Sequence, residues 1–216
     1  MSNTEQNYLL SPNISWDDVK LEKTIKLGVM ASGSGSNFEV IAEAINEGKL
    51  NAQICVVIYN NPDAKVKFRA EKLGIKAILL NHRKFKTREA LDEAIVKVFK
   101  EYEIEWIIMA GWMRIVTKVL LEAYHNHVLN IHPSLLPSFK GIKGVEKALK
   151  AKVKITGCTV HIASLEVDSG PIILQAAVPI FPDDTSDTLH ARIQIQEHKI
   201  FPLAIAIAAK REQSYQ

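Results

Sequence analysis

Between residues 24 and 132 the chain repeats one pattern: a short apolar run, a turn rich in Gly, Asn or Pro, and a longer segment with apolar residues at helical spacing. The apolar runs are 24–31, 53–59, 76–80, 106–110 and 127–132, and their lengths and Ile/Val content fit buried strands. The helix-patterned stretches are 38–45, 64–73, 87–102 and 115–124. Strands that alternate with helices pair in parallel, because each crossover helix returns the chain to the same end of the sheet. After a loop punctuated by Gly141 and Gly144 and a helix over 145–151, the pattern changes. Residues 155–163 and 171–181 are β-rich, and the turn Glu166-Val167-Asp168-Ser169-Gly170 between them predicts a reversal of direction. A long apolar-faced helix over 189–209, with Thr185 or Ser186 near its start, completes the sequence. The expected fold class is α/β: a Rossmann-like open, mostly parallel sheet with an antiparallel portion near the C-terminus.

The run ending in Asn130-Ile131-His132-Pro133 delivers polar groups where such a sheet places its ligands. Pro133 biases His132 towards extended backbone, so the strand ends there. Side chains alternate along a strand, so Asn130 and His132 share one face while Ile131 points to the other. Open α/β sheets bind ligands beyond the carboxyl ends of their strands. A His-Pro pair at a strand end is by itself most often a turn, so a catalytic reading needs support from elsewhere in the chain.

With 216 residues, 47% of them hydrophobic, the chain can bury a full core. One domain over 24–209 is expected, with an extension over 1–23 that precedes the fold and a tail over 210–216. In the extension Ser15 followed by Asp18 resembles a helix start, and Trp16 suits the docking of a short helix. The net charge of +3, from 27 basic and 24 acidic residues, is spread along the chain. No nucleic-acid partner is expected, and a mild positive excess fits small anionic ligands. Cys55 and Cys158 lie in apolar runs and read as small buried hydrophobes, with neither a disulfide nor zinc ligation suggested. No apolar run reaches membrane-spanning length, and the first 23 residues lack the basic start and apolar core of a signal peptide. The expectation is a cytoplasmic protein with small-molecule partners and no membrane partner, either a monomer or a homodimer.

Residues 32–37 place small side chains between a strand and a helix, where backbone N–H groups and the helix N-terminus favour a phosphate. The full G-x-G-x-x-G spacing is missing, there is no Gly-Lys-Ser/Thr, and the second strand ends in Asn60-Asn61 instead of an acidic residue. A single phosphate on a small molecule fits this loop better than a dinucleotide or a nucleoside triphosphate, and a merely structural tight turn is the other reading. Taken alone, Asp168 in its Asp-Ser-Gly setting is a turn aspartate. His161 reads as a satisfied core or edge histidine, and His125-x-His127 lacks a third ligand at a recognisable spacing, so no metal site is expected. Arg88 and Arg114 read as solvated helix-surface charges.

Five motifs taken together resemble one family. Gly33-Ser34-Gly35-Ser36-Asn37, Gly111-Trp112-Met113-Arg114, Asn130-Ile131-His132-Pro133-Ser134-Leu135-Leu136-Pro137, Asp168-Ser169-Gly170-Pro171-Ile172-Ile173 and Gln196-Glu197-His198-Lys199-Ile200-Phe201-Pro202 occur in the order, and at about the spacing, of the folate-dependent phosphoribosylglycinamide formyltransferases of purine synthesis. The resemblance runs from about Lys26 to Ala209. It implies the formyltransferase fold and transfer of a formyl group from 10-formyltetrahydrofolate, as co-substrate and without a metal, to the glycine amino group of glycinamide ribonucleotide. It also implies that Asn130, His132 and Asp168 are the catalytic trio. Gly35, Ser36 and Asn37 match the phosphate loop, Pro133 and Gln194 further contacts to the ribonucleotide, and Glu197 the carboxylate that receives the ribose hydroxyls. Arg88, Met113, Arg114, Ile115 and Val116 match positions lining the folate site, together with Asn130, and Ser164, Leu165, Glu166, Val167 and Asp168 its mobile wall.

The residue chemistry suits those roles. When an amine attacks a formyl carbon, negative charge grows on the carbonyl oxygen, and Asn130 and a protonated His132 on a rigid strand are donors for it. A carboxylate paired with the imidazole raises its pKa and relays the proton that the attacking nitrogen must lose, the role implied for Asp168. The loop 138–145 departs from the family, lacking the histidine or asparagine that many relatives carry near Lys143. Formyltetrahydrofolate hydrolases share much of this loop, but tend to have another histidine at Pro133 and carry an amino-terminal regulatory domain for which residues 1–23 are too short. Methionyl-tRNA formyltransferases share the Ser-Leu-Leu-Pro run and add an RNA-binding domain after the position of Ala209. A non-catalytic folate- or nucleotide-binding module is expected to have lost one of the polar trio, and all three residues are present.

Overall fold

The computed structural model of the protein describes residues 9–213. In chain order they form β1 (Leu9–Ser11), a 3-10 turn (Asp17–Val19), β2 (Ile25–Ala31), α1 (Ser36–Asn46), β3 (Ala52–Tyr59), α2 (Val66–Lys72) and β4 (Ala77–Leu79). A second 3-10 turn (His82–Lys84) leads to α3 (Arg88–Glu101), β5 (Trp106–Met109), α4 (Lys118–Ala123), β6 (Val128–His132), α5 (Gly144–Lys150), β7 (Ile155–Ile162), β8 (Ile172–Pro179) and α6 (Ser186–Gln213). Each expected strand and helix is present, with ends moved by a few residues.

All the strands join one sheet in the order β1-β8-β7-β6-β5-β2-β3-β4. The section from β6 to β4 is parallel, and β7, β8 and β1 add the antiparallel portion. From β2 the chain first winds outward through β3 to β4, then returns to the other side of β2 with β5 and β6. The strand order therefore reverses between β2 and β5, and their carboxyl ends form the crevice in which such sheets hold ligands.

Alternation along the strands divides the core between two layers of helices. Leu27, Val29 and Ala31 of β2 pack with Phe38 and Ile41 of α1 and with Phe201 and Ile205 of α6. Met30 points the other way, to Ile95 and Phe99 of α3 and Leu120 of α4. Burying each such side chain contributes about 1.5–3 kcal/mol. At Gly157 the antiparallel pair comes too close for any side chain, since a Cβ there would lie 1.9 Å from the Ala176 carbonyl oxygen. Gly157→Ala must push β7 from β8, and a loss of about 3 kcal/mol is expected in denaturant unfolding; a loss below about 0.5 kcal/mol would show that the ladder yields without cost.

Two regions differ from the sequence reading. Residues 115–117 are not helical: α4 starts at Lys118, capped by the Thr117 side chain, which accepts from the Val119 N–H at 3.3 Å. The Thr117 N–H donates to Asp92 of α3, which fixes the preceding Ile115 and Val116 as a loop. The described part of the extension, residues 9–23, does not precede the fold but belongs to it. β1 pairs antiparallel with β8 through Leu10 opposite Ala176. The Asp18 carboxylate accepts from the Ser15 N–H at 2.9 Å and its hydroxyl at 2.7 Å, the expected capping turn, and Trp16 packs on the core beside buried Val19 and Leu21. Residues 1–8 of the extension and 214–216 of the tail lie outside the described residues.

Candidate active site

The polar face of β6 carries Asn130 and His132, as the alternation requires, and His132 is 6% exposed. The turn between β7 and β8 brings Asp168 against them. Asp168 adopts a left-handed backbone (φ 52°), and the chain leaves it so close to β7 that a Cβ at Gly170 would lie 1.9 Å from the Ile162 carbonyl oxygen. One Asp168 oxygen, Oδ2, sits 3.2 Å from His132 Nδ1 and accepts from the Gly141 N–H at 2.7 Å. The other, Oδ1, lies 3.4 Å from Asn130 Nδ2 and 3.5 Å from His161 Nε2. The trio is thus one connected cluster.

His161 is a fourth member, which the sequence reading passed over as a core histidine. The β6–β7 register sets it directly opposite Asn130. Its Nδ1 is 2.9 Å from the Ile162 carbonyl, so that nitrogen carries the proton, leaving Nε2 to accept from Asn130 Nδ2 at 3.1 Å. This fixes the carboxamide orientation. The remaining Asn130 N–H has only the longer contact to Asp168, and it is the one that can turn to a ligand oxygen.

His132 is held between two acceptors, Asp168 at Nδ1 and the Phe139 carbonyl at Nε2, 3.0 Å away. Burial lowers its pKa below the ordinary value; the Asp168 charge and the Phe139 carbonyl act in the opposite direction without overcoming it. The carboxylate therefore acts as the sequence led one to expect, but the net shift is downward because desolvation of the ring is the larger effect. Acceptors at both nitrogens suit the imidazolium, burial suits the neutral ring, and we take burial to decide the resting state because it penalises every charged arrangement of the ring. For Asp168, burial raises the pKa, but the Gly141 N–H bond and the positive charge that His132 carries once protonated outweigh it and hold the carboxyl below its ordinary value.

The turn that follows His132 is fixed by buried Thr159. Its hydroxyl donates to the Ser134 carbonyl at 2.7 Å and accepts from the Leu136 N–H at 3.1 Å and from Gln175 Nε2 at 2.9 Å. The strand end is therefore rigid, as a site that must not reorganise requires.

Beside the cluster is a cavity of about 310 Å³ lined by Asn130, His132, Pro133, Asp168 and His161, by the 111–116 segment, and by Ser164 and Val167. Of the residues expected at the folate site, Met113, Arg114, Ile115 and Val116 line this cavity, and Arg88, Leu165 and Glu166 do not. Arg88 lies in the first turn of α3. Glu166 instead pairs with Lys140 at 3.1 Å, and Lys140 also donates to Ser169, so the 138–144 loop is fastened to the turn that bears Asp168. Ile142, Lys143 and Gly144 of that loop line the cavity too. Met113 and Ile142 are 74% and 79% exposed at its mouth, which offers an apolar surface to a flat ring.

The residues expected to hold the ribonucleotide gather at the reversal of strand order. After β2 the chain turns through Gly35, which caps α1 with φ 77°, so the first N–H groups of α1 open outward. Gln194 Nε2 donates to Ser36 Oγ at 3.1 Å, and Asn37 Nδ2 donates to Glu197 Oε2 at 3.1 Å. Gly35, Ser36, Asn37, Gln194 and Glu197, distant in sequence, are therefore neighbours. Burial raises the Glu197 pKa, partly offset by the Asn37 hydrogen bond, and Asn37 Oδ1 is buried with no protein partner. Two bonds tie this loop to the cavity: the Ser32 N–H donates to the Gly111 carbonyl at 3.1 Å and the Met113 N–H to Ser32 Oγ at 2.8 Å. No group of three or more metal-ligating side chains, and no helix long and apolar enough to cross a membrane, occurs among the described residues.

A glycine-rich loop before a helix, adjoining an amide, imidazole and carboxylate cluster at the switch point of an open α/β sheet, has the make-up of a group-transfer enzyme. The formyl transferase family pattern matches residues 25–205, and the chain belongs to that family. It is 42% identical over 87% of its length to the human trifunctional purine biosynthetic protein adenosine-3, of which the match spans only 19%. It is also 41% identical over 83% of its length to the phosphoribosylglycinamide formyltransferase of Bacillus subtilis, covering 92% of that protein. Among solved structures, glycinamide ribonucleotide transformylase 1 from Symbiobacterium toebii superposes with a TM-score of 0.86 at 40% identity, covering 88% of this chain and 90% of that one.

Proposed function

We propose that the protein transfers the formyl group of 10-formyltetrahydrofolate to the glycine amino group of glycinamide ribonucleotide. The observation that carries this reading is the juxtaposition of Asp168 with His132 and Asn130 beside an anion loop. The cavity takes the folate, its ring against Met113 to Val116 and the wall of Ser164 and Val167. The loop of Gly35, Ser36 and Asn37 takes the phosphate, Gln194 and Pro133 support the ribonucleotide, and Glu197 receives the ribose hydroxyls. The amine lone pair then attacks the formyl carbon, forming a C–N bond and placing negative charge on the oxygen. Asn130 holds that charge through its remaining N–H, and His132 joins it when its Nε2–H turns from the Phe139 carbonyl to the oxygen. The new ammonium loses its proton through the His132–Asp168 pair, directly or through water; the bond from carbon to folate nitrogen breaks and that nitrogen leaves protonated.

The test is tetrahydrofolate release from 10-formyltetrahydrofolate with and without glycinamide ribonucleotide. Release that depends on the ribonucleotide is expected. Release without it, together with formate, would identify a hydrolase, and no release by properly folded protein would favour a binding module.

The His132 pair also predicts a pH response. Because the folded-state pKa lies below the ordinary value of about 6.5, the fold favours the neutral ring. Its contribution to stability is complete above that ordinary value and is lost as pH falls through the depressed one. In Asp168→Asn the charge that raises the pKa is gone, so the imidazole, followed by NMR, titrates at lower pH than in the native protein. A shift to higher pH would mean that the two groups are not coupled as described.

A further inference from the structure

We propose that Arg69, which lies outside every motif of the family resemblance, is a positioning residue for the anion loop and sets the preference for a substrate that carries a phosphate. The inference rests on the reading of that loop given above and names the residue that shapes it. Arg69 projects from α2, and its Nε donates to the Ser34 carbonyl at 2.8 Å while Nη1 pairs with Glu39 in the first turn of α1. The same helix start supports the loop at two further points. The Val66 N–H donates to the Gly33 carbonyl at 3.2 Å, and a Cβ at Gly35 would lie 2.6 to 2.9 Å from Val66 atoms. The Gly35 carbonyl in turn accepts the Glu39 N–H at 3.0 Å. Three consecutive carbonyls, of Gly33, Ser34 and Gly35, are thereby turned into the protein. A loop with its carbonyls held inward presents its N–H groups, and those of the first turn of α1, to an anion.

The mechanism is geometric. Glu39 offsets the charge of the guanidinium, so what Arg69 supplies is a planar fork that holds the Ser34 carbonyl and Glu39 together. An ammonium on a flexible stem can donate to both but lacks the planar fork that fixes their spacing. Lys67 is the control: it lies two residues earlier on α2, faces Glu71 at 3.9 Å and has no bond to the loop.

The experiment measures ribose 5-phosphate and inorganic phosphate binding by calorimetry, and steady-state kinetics with both substrates, for the native chain, Arg69→Met, Arg69→Lys and Lys67→Met. Arg69→Met is expected to weaken ribose 5-phosphate and phosphate binding about tenfold and to raise the KM for the phosphoribosyl substrate in parallel. The folate KM and kcat stay within about twofold. Arg69→Lys recovers less than half of the loss on a logarithmic scale, and Lys67→Met changes nothing. Ribose 5-phosphate affinity within about twofold of native in Arg69→Met overturns the proposal. So does an equal loss in Lys67→Met, which would make the effect one of charge alone, or a parallel fall in kcat and folate affinity in both Arg69 variants. If Arg69→Met weakens binding as expected but the native chain forms no formylated ribonucleotide, the formyl-transfer reading fails and the positioning role stands.

Discussion

Asp168→Asn is expected to bind both substrates with near-native affinity and to turn over about 10²–10⁴ times more slowly. The substitution is nearly isosteric, and an amide oxygen can still accept the Gly141 N–H that Asp168 Oδ2 accepts at 2.7 Å. The turn and the 138–144 loop therefore stay in place. What disappears is the charge beside His132 Nδ1, 3.2 Å away. Without it the imidazole has no anionic partner when it takes up a proton, in a place where burial already disfavours the charged ring. Single-turnover rates with saturating substrates, compared with equilibrium dialysis of each ligand, separate the two effects. Turnover within about threefold of native would remove Asp168 from the chemistry, whereas a comparable loss of ligand binding would make its role one of shaping the site.

Asn130→Ala is expected to lower kcat by about 10²–10³ with little change in either KM, because it deletes a donor whose hydrogen bond strengthens only as the oxygen becomes negative. The cavity it leaves sits on β6 beside a Thr159 network that does not involve the Asn130 side chain, so the strand end keeps its form. His161→Ala tests the same donor indirectly. It removes the acceptor 3.1 Å from Asn130 Nδ2 and lets the carboxamide rotate, so it should reproduce part of the loss. A native kcat in Asn130→Ala would assign charge stabilisation to His132 and backbone groups alone.

Much of the architecture was legible in the sequence because local and global preferences agree in it. Thr87 shows why: its side chain accepts from the Ala90 N–H at 3.1 Å, and this cap places the start of α3 within one residue of the expected position. Asn130 and His132 could be placed on one face from strand alternation alone. Ile115 and Val116 misled because two adjacent apolar residues suit a buried helix, whereas here they form a loop that lines the cavity. His161 was hidden for a different reason. Its role follows from standing opposite Asn130 across an antiparallel pair, and a register between two strands is a tertiary fact that no single segment encodes. Arg88, Leu165 and Glu166 were placed at the folate site by family likeness, and the cavity lining leaves out all three.

β1 escaped notice because three residues are too few to show a period. It draws its partner from the other end of the chain, with Leu9, Leu10 and Ser11 lying against Ala177, Ala176 and Gln175. That pairing has a consequence for synthesis and refolding. Among the described residues the first strand must wait for the last, so any partly folded form that lacks β1 leaves the outer side of the eight-residue β8 at Gln175, Ala176 and Ala177 with its peptide groups unmatched. An open strand of that length is a template for another chain. Self-association during refolding is therefore expected to begin along β8, with β1 the piece that shields the middle of that edge.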